Sequence, residues 1–137
     1  MITQRTIHLA PKAHGFHLVT SEVIAELDEL PSTGLLNLFI KHTSAGLTIN
    51  ENCDPSVRVD FETSFNKLIP ENLSYYTHTA EGPDDMPAHL KSSIVGHSIT
   101  IPIPNGKLNL LTWQGIYLCE FTQIEHQRTL VHTIYHY

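Results

Sequence analysis

Apolar and polar side chains alternate from the first residues. Ile2, Gln4, Thr6 and His8 interleave with Thr3, Arg5, Ile7 and Leu9. That period of two predicts a strand over residues 2–10, and its polar share suits a sheet edge. Pro11 and Gly15 bracket a turn, and Phe16, Leu18 and Thr20 continue as a short second strand. Thr20 or Ser21 can then cap a helix over residues 23–30, with Glu22 in its first turn and Pro31 and Gly34 ending it. Read this way, the opening of the chain is a β-helix-β unit.

Residues 35–40, LLNLFI, form a compact apolar run of strand length and are expected to be a central strand. A polar interruption, His42 to Gly46, precedes a second alternating run at residues 47–50. Asp54-Pro55 opens a helix, with Asp as cap and Pro at the first helical position. Val57, Phe61, Phe65 and Leu68 then recur at spacings of four, four and three, and Pro70 stops the helix. Residues 70–87 are polar. A further helix starts near Asp84 or Asp85, tolerates Pro87 in its first turn and ends at Gly96. Strands are expected at 98–103, 107–110, 116–121 and 128–137, with turns at Pro104-Asn105-Gly106 and Gln114-Gly115. The pattern predicts an α+β domain over residues 1–137, a strand-rich β-sandwich with two or three short helices.

Composition narrows the partners. A chain of 137 residues buries roughly 70% of its unfolded surface without staples. Eight Lys+Arg against fourteen Asp+Glu give a net charge of −6. There is no basic run, so nucleic acid is not an expected partner, and neither is an anionic membrane surface. No apolar run approaches a membrane span, and the start carries no apolar signal segment. Cys53 and Cys119 lie far apart and outside any CxxC pair, which suits reduced thiols. The expected location is cytoplasmic.

Ten histidines stand out, because imidazole is a common ligand for divalent metals. His132 and His136 would lie about 13 Å apart along a strand, too far to share an ion. With His8, His14, His17, His97 and His126 they read as plain surface or edge residues. His78 and His89 differ. Between them run Glu81, Asp84 and Asp85 and a Gly82-Pro83 turn, so the loop can fold back and bring both rings to a third ligand. The plainer reading is a solvated acidic loop with a helix cap. A second polar constellation, His42, Ser44, Glu51 and Asp54, offers hydroxyls and backbone N–H groups for an anion, or is simply a turn followed by a cap. Trp113-Gln114 either anchors the core or walls a pocket.

Taken together, HTSAGLTINENCDP at 42–55, EGPDDMPAHLKSS at 81–93, GHSITIPIPNGKL at 96–108 and TWQGIYLCEF at 112–121 resemble the YjbQ family, also called the secondary thiamine-phosphate synthase family. The likeness runs in order over nearly the whole chain. It implies a β-sandwich with short helices, a homotrimer, and a bound divalent metal. The resemblance implies zinc as that metal, with magnesium an alternative for pyrophosphate chemistry. The matching metal positions are His42, His78 and His89, with Glu81 and the Trp113-Gln114 pair nearby. One position departs: Leu111 stands where the family commonly has glycine, which puts the local turn in question.

The resemblance also implies a secondary activity that joins a pyrimidine pyrophosphate to a thiazole phosphate and releases pyrophosphate. Such a site needs a metal or cations and N–H donors. The candidates are the Ser44–Gly46 turn, Lys91 and Arg128, with a small phosphorylated or anionic metabolite as partner. The competing readings are zinc-dependent hydrolysis of a small anion, with Glu81 or Glu51 as base, and a metal- or metabolite-binding trimer without catalysis.

Overall fold

The computed structural model describes residues 1–137. Seven strands form two antiparallel sheets. The larger has the order β1-β7-β3-β5, from Ile2–His8 (β1), Thr33–Ile40 (β3), Ser98–Pro104 (β5) and Thr129–Tyr135 (β7). The smaller has the order β2-β6-β4, from Gly15–Leu18 (β2), Ala45–Glu51 (β4) and Gln114–Glu120 (β6). Their inner faces meet in one core that includes Ile7, Leu36, Leu38, Ile40, Leu47, Ile101, Ile116, Leu118 and Leu130.

The smaller sheet is covered on its other face too. Helices Pro55–Leu68 (α2) and Asp85–Val95 (α3) lie against β2 and β4 respectively. Phe61 and Phe65 of α2 pack with Phe16, Tyr117, Cys119 and Phe121. β6 is therefore buried along nearly its whole length: Ile116 and Leu118 face the other sheet, and Tyr117 and Cys119 face the helices. Burial also pushes the Cys119 thiol far above its ordinary range.

Several elements differ from the expectations. The first helix is shorter, Thr20–Ala25 (α1), without a side-chain cap, because the Thr20 hydroxyl accepts a hydrogen bond from Ile116 N instead. β2 and β3 lie in different sheets, so α1 crosses between layers rather than closing a β-helix-β unit. Residues 107–110 are irregular. Gly115 is not in a turn but in β6, where a Cβ would sit 2.6 Å from Leu18. The expected Asp54 cap is present, accepting from Ser56 N at 2.9 Å, and Gly96 ends α3 at φ +108°.

His132 overturns its reading as a surface residue. It is 1% exposed, its strand neighbours are Arg5 and Leu38, and neither ring nitrogen has a hydrogen-bond partner. Burial pushes its pKa down. Asp28 opposes that shift, while Arg5 adds to it.

Candidate metal centre

Asp85 and His89 stand four residues apart on α3, so one helix face carries both. His78 comes from the preceding loop, which Gly82 turns at φ +106°. The loop folds back so that His78 Nε2 lies 2.7 Å from Asp85 Oδ2, and His89 Nε2 lies 3.0 Å from the same oxygen. One ligand atom from each of the three residues falls within 4.8 Å of the others. Glu81 flanks the group, with Oε2 3.7 Å from His78 Nε2 and a side chain 66% exposed. Burial raises the Asp85 pKa, but hydrogen bonds with His78 and Glu81 and the pairing with His89 hold it below the ordinary carboxylate value.

The orientation of His89 is fixed from behind. Its Nδ1 lies 2.9 Å from the Thr43 carbonyl, which also accepts from the Ser92 hydroxyl at 2.7 Å. A carbonyl only accepts, so Nδ1 carries the proton. That leaves Nε2 as the ring atom directed at the Asp85 carboxylate. Nε2 and the Asp85 oxygen lie 3.0 Å apart, close enough for one metal ion to be held by both.

The turn after β3 therefore contributes the Thr43 carbonyl rather than the His42 ring. His42 is not in the group: its Nε2 accepts from Thr129 N at 2.8 Å. Burial and the nearby Arg128 push the His42 pKa down.

The expected anion-binding groups are engaged in the scaffold. Lys91 is 3% exposed, donates to Asn66 Oδ1 at 2.7 Å and lies 5.8 Å from the Phe121 ring centroid. Arg128 is 4% exposed and forks onto the buried Glu120, through Nε to Oε2 at 2.7 Å and Nη2 to Oε1 at 2.5 Å. Its Nη2 also donates to the Ser44 hydroxyl at 3.0 Å. Gly46 is not part of an N–H nest. It lies within β4, where a Cβ would come 2.9 Å from the Gly96 carbonyl, so glycine permits the close approach of β4 to the end of α3.

Glu51, Trp113 and Gln114 lie elsewhere. They gather at the far end of β4 from the Thr43 turn, about 20 Å away along the strand, beside a groove shared with Asn50, Cys53 and Leu111. Gln114 Oε1 accepts from Leu111 N at 3.0 Å, which closes the 111–114 turn. Leu111 has no positive φ and is exposed, so leucine fits this turn without strain. The sequence reading did not place Asp85 among the ligands. Its i,i+4 spacing from His89 on a helix was the available signal.

These features define a class: a two-sheet α+β sandwich with helices on one outer face and a His-Asp-His cluster where the loop meets α3. The sequence pattern of the family described as UPF0047 protein YjbQ-like matches residues 5–137. UPF0047 protein YjbQ from Salmonella typhimurium is 55% identical over 119 residues, covering 85% of this chain and 86% of the relative. The protein of the same name from Escherichia coli O157:H7 is 50% identical over the same shares. Among solved structures, the conserved hypothetical protein TT1486 from Thermus thermophilus superposes with TM-score 0.80 at 33% identity, over 93% of this chain and 97% of that one. A YbjQ-like protein of unknown function from Sulfolobus solfataricus P2 reaches TM-score 0.81 at 20% identity, covering 99% of both chains, and speaks for the fold alone. The chain belongs to the YjbQ (UPF0047) family. No helix is long and apolar enough to cross a membrane.

Proposed function

We propose that this chain is a metal-dependent enzyme whose centre is His78, Asp85 and His89, acting on a small anionic or phosphorylated metabolite. The observation that carries the reading is the convergence of one ligand atom each from His78, Asp85 and His89 within 4.8 Å, with His89 oriented by its Nδ1 hydrogen bond to Thr43. Two imidazoles and one carboxylate also match the three-protein-ligand set of catalytic zinc sites. When bound, zinc supplies Lewis acidity toward an oxygen of water or substrate. Asp85 aligns both rings, and Glu81, mostly exposed beside His78, is placed to accept a proton from an attacking water.

Of the reactions open to such a centre, hydrolysis has the better support. Pyrophosphate departure calls for free cations, and Lys91 and Arg128 are already held by Asn66 and Glu120. Thiamine-phosphate synthesis, implied by the family resemblance, fits as a weak side activity at the same metal. A homotrimer fits as well: the outer face of the larger sheet exposes Ile2, Leu35, Phe39 and Tyr135, more apolar surface than a solvated sheet face needs.

The test is metal analysis of untagged protein, followed by zinc titration of the stripped chain. About one zinc per chain is expected, with binding weakened on the order of a hundredfold in Asp85→Asn. Protein that carries no metal and takes up none from added zinc would remove the proposal. Activity is then measured with Glu81→Gln, which should keep the zinc and lose turnover on phosphate esters.

A further inference from the structure

The far end of β4 holds a second set of groups that the metal centre does not use. Trp113 is 60% exposed, on a turn held by several hydrogen bonds. Asn52 N donates to the Trp113 carbonyl at 2.9 Å, and Asn52 Nδ2 donates to the carbonyls of Thr112 and Gln114 at 3.1 and 3.2 Å. Gln114 closes the turn from the other side. The backbone that displays this large aromatic ring is held in place, so little loop freedom remains to be lost on binding.

A groove runs along each side of the ring. One is lined by residues that include Ile49, Asn50, Glu51 and Leu111, the other by Leu18, Thr20, Glu22 and Asn52, and Cys53 borders both. Neither contains a lysine, an arginine or a histidine. Glu22 is paired with Lys12 at 2.9 Å, whereas the Glu51 carboxylate makes no ion pair or hydrogen bond; only its backbone groups are engaged, the carbonyl accepting from the Tyr117 hydroxyl. An electron-rich ring face beside a free carboxylate, with no positive side chain in the lining, rejects phosphate and suits a positively charged nitrogen.

We infer that the Trp113–Glu51 groove is a binding site for an organic cation, a substituted ammonium group seated on the indole and paired with the Glu51 carboxylate. The site is independent of the metal centre. Trp113 is the one tryptophan of the chain, so its fluorescence reports directly on occupancy. Tetramethylammonium chloride titrated into the full chain should give a saturable change in emission. Sodium chloride, sodium phosphate and the neutral isostere tert-butanol should give none.

Glu51→Gln should weaken the response by about fivefold. It should fold normally, because the bond to Tyr117 uses the Glu51 backbone. Ligand-observed NMR of the tetramethylammonium methyl signal supplies a second readout, with binding lost in Trp113→Leu. A response absent with the cation, matched by phosphate or tert-butanol, or unchanged in Glu51→Gln would overturn the assignment. Methyl-signal binding retained in Trp113→Leu would overturn it equally.

Discussion

The two ends of β4 share a strand and differ in how their polar groups are satisfied. At the Thr43 end, cations are matched inside the protein: Arg128 by Glu120 and Ser44, Lys91 by Asn66. What remains open there is the His78–Asp85–His89 cluster, whose ligand atoms converge on Asp85 Oδ2. At the Glu51 end the backbone is tied down by Asn52 and Gln114, and the open groups are a ring face and a single carboxylate. On the proposed readings, one end would hold a divalent metal ion between nitrogen and oxygen atoms, and the other an organic cation on a π surface.

The largest effect that bears on this contrast comes from Arg128. If its role is to neutralise Glu120, Arg128→Met leaves a buried carboxylate unpaired and costs about 3–5 kcal/mol of stability, read as a lower urea midpoint. Adding Glu120→Leu should recover most of that loss, because an apolar pair of similar volume replaces a buried ion pair at little cost. An Arg128→Met protein of unchanged stability that has lost only turnover would return Arg128 to the substrate site and break the contrast.

A smaller effect sharpens it. Asp85→Asn should weaken zinc on the order of a hundredfold and leave tetramethylammonium binding untouched. Glu51→Gln should weaken the organic cation by about fivefold and leave zinc untouched. Both ligands are followed in both variants by titration calorimetry and Trp113 emission. Either variant affecting both ligands would mean that the two ends are coupled through β4 rather than separate.

The sequence made the fold readable where burial is one-sided and periodic. The alternation in residues 2–10, the apolar run at 35–40 and the Asp54-Pro55 helix opening all correspond to elements present in the fold. It was less readable where tertiary contacts decide. Thr20 reads as a cap, but its hydroxyl serves a neighbouring strand. Lys91 and Arg128 read as anion ligands, because sequence shows charge without its partner. Two of the three clustered residues were legible as well: His78 and His89 were singled out by the loop between them. His42 drew attention by its company of Thr, Ser and Gly, yet the useful atom of that turn is a main-chain carbonyl, which no residue type advertises.

The smallest effect concerns acid, and it decides whether the metal end can be studied by pH at all. Histidine ligands bind metal only when neutral, so zinc is expected to leave as pH falls. His132, in the sandwich interior, adds a separate loss. Its folded pKa lies below the ordinary 6.5, while in the unfolded chain it takes up a proton near that value. The unfolded state therefore binds more protons below about pH 6.5, and stability contributed by the neutral ring is present above that pH and lost as pH falls toward the folded value. Arg5 and Asp28 are the charged groups that act on this ring, and their mutual pair at 2.8 Å leaves no free carboxylate to stabilise an imidazolium. Replacing the ring in His132→Leu should flatten the urea midpoint between about pH 7 and pH 5.5 relative to the parent, while zinc still departs with acid. If parent and variant lose stability with the same slope, His132 is not the acid-sensitive group, and the acid lability of the fold belongs to His42, whose pKa is also pushed down, or to the metal end.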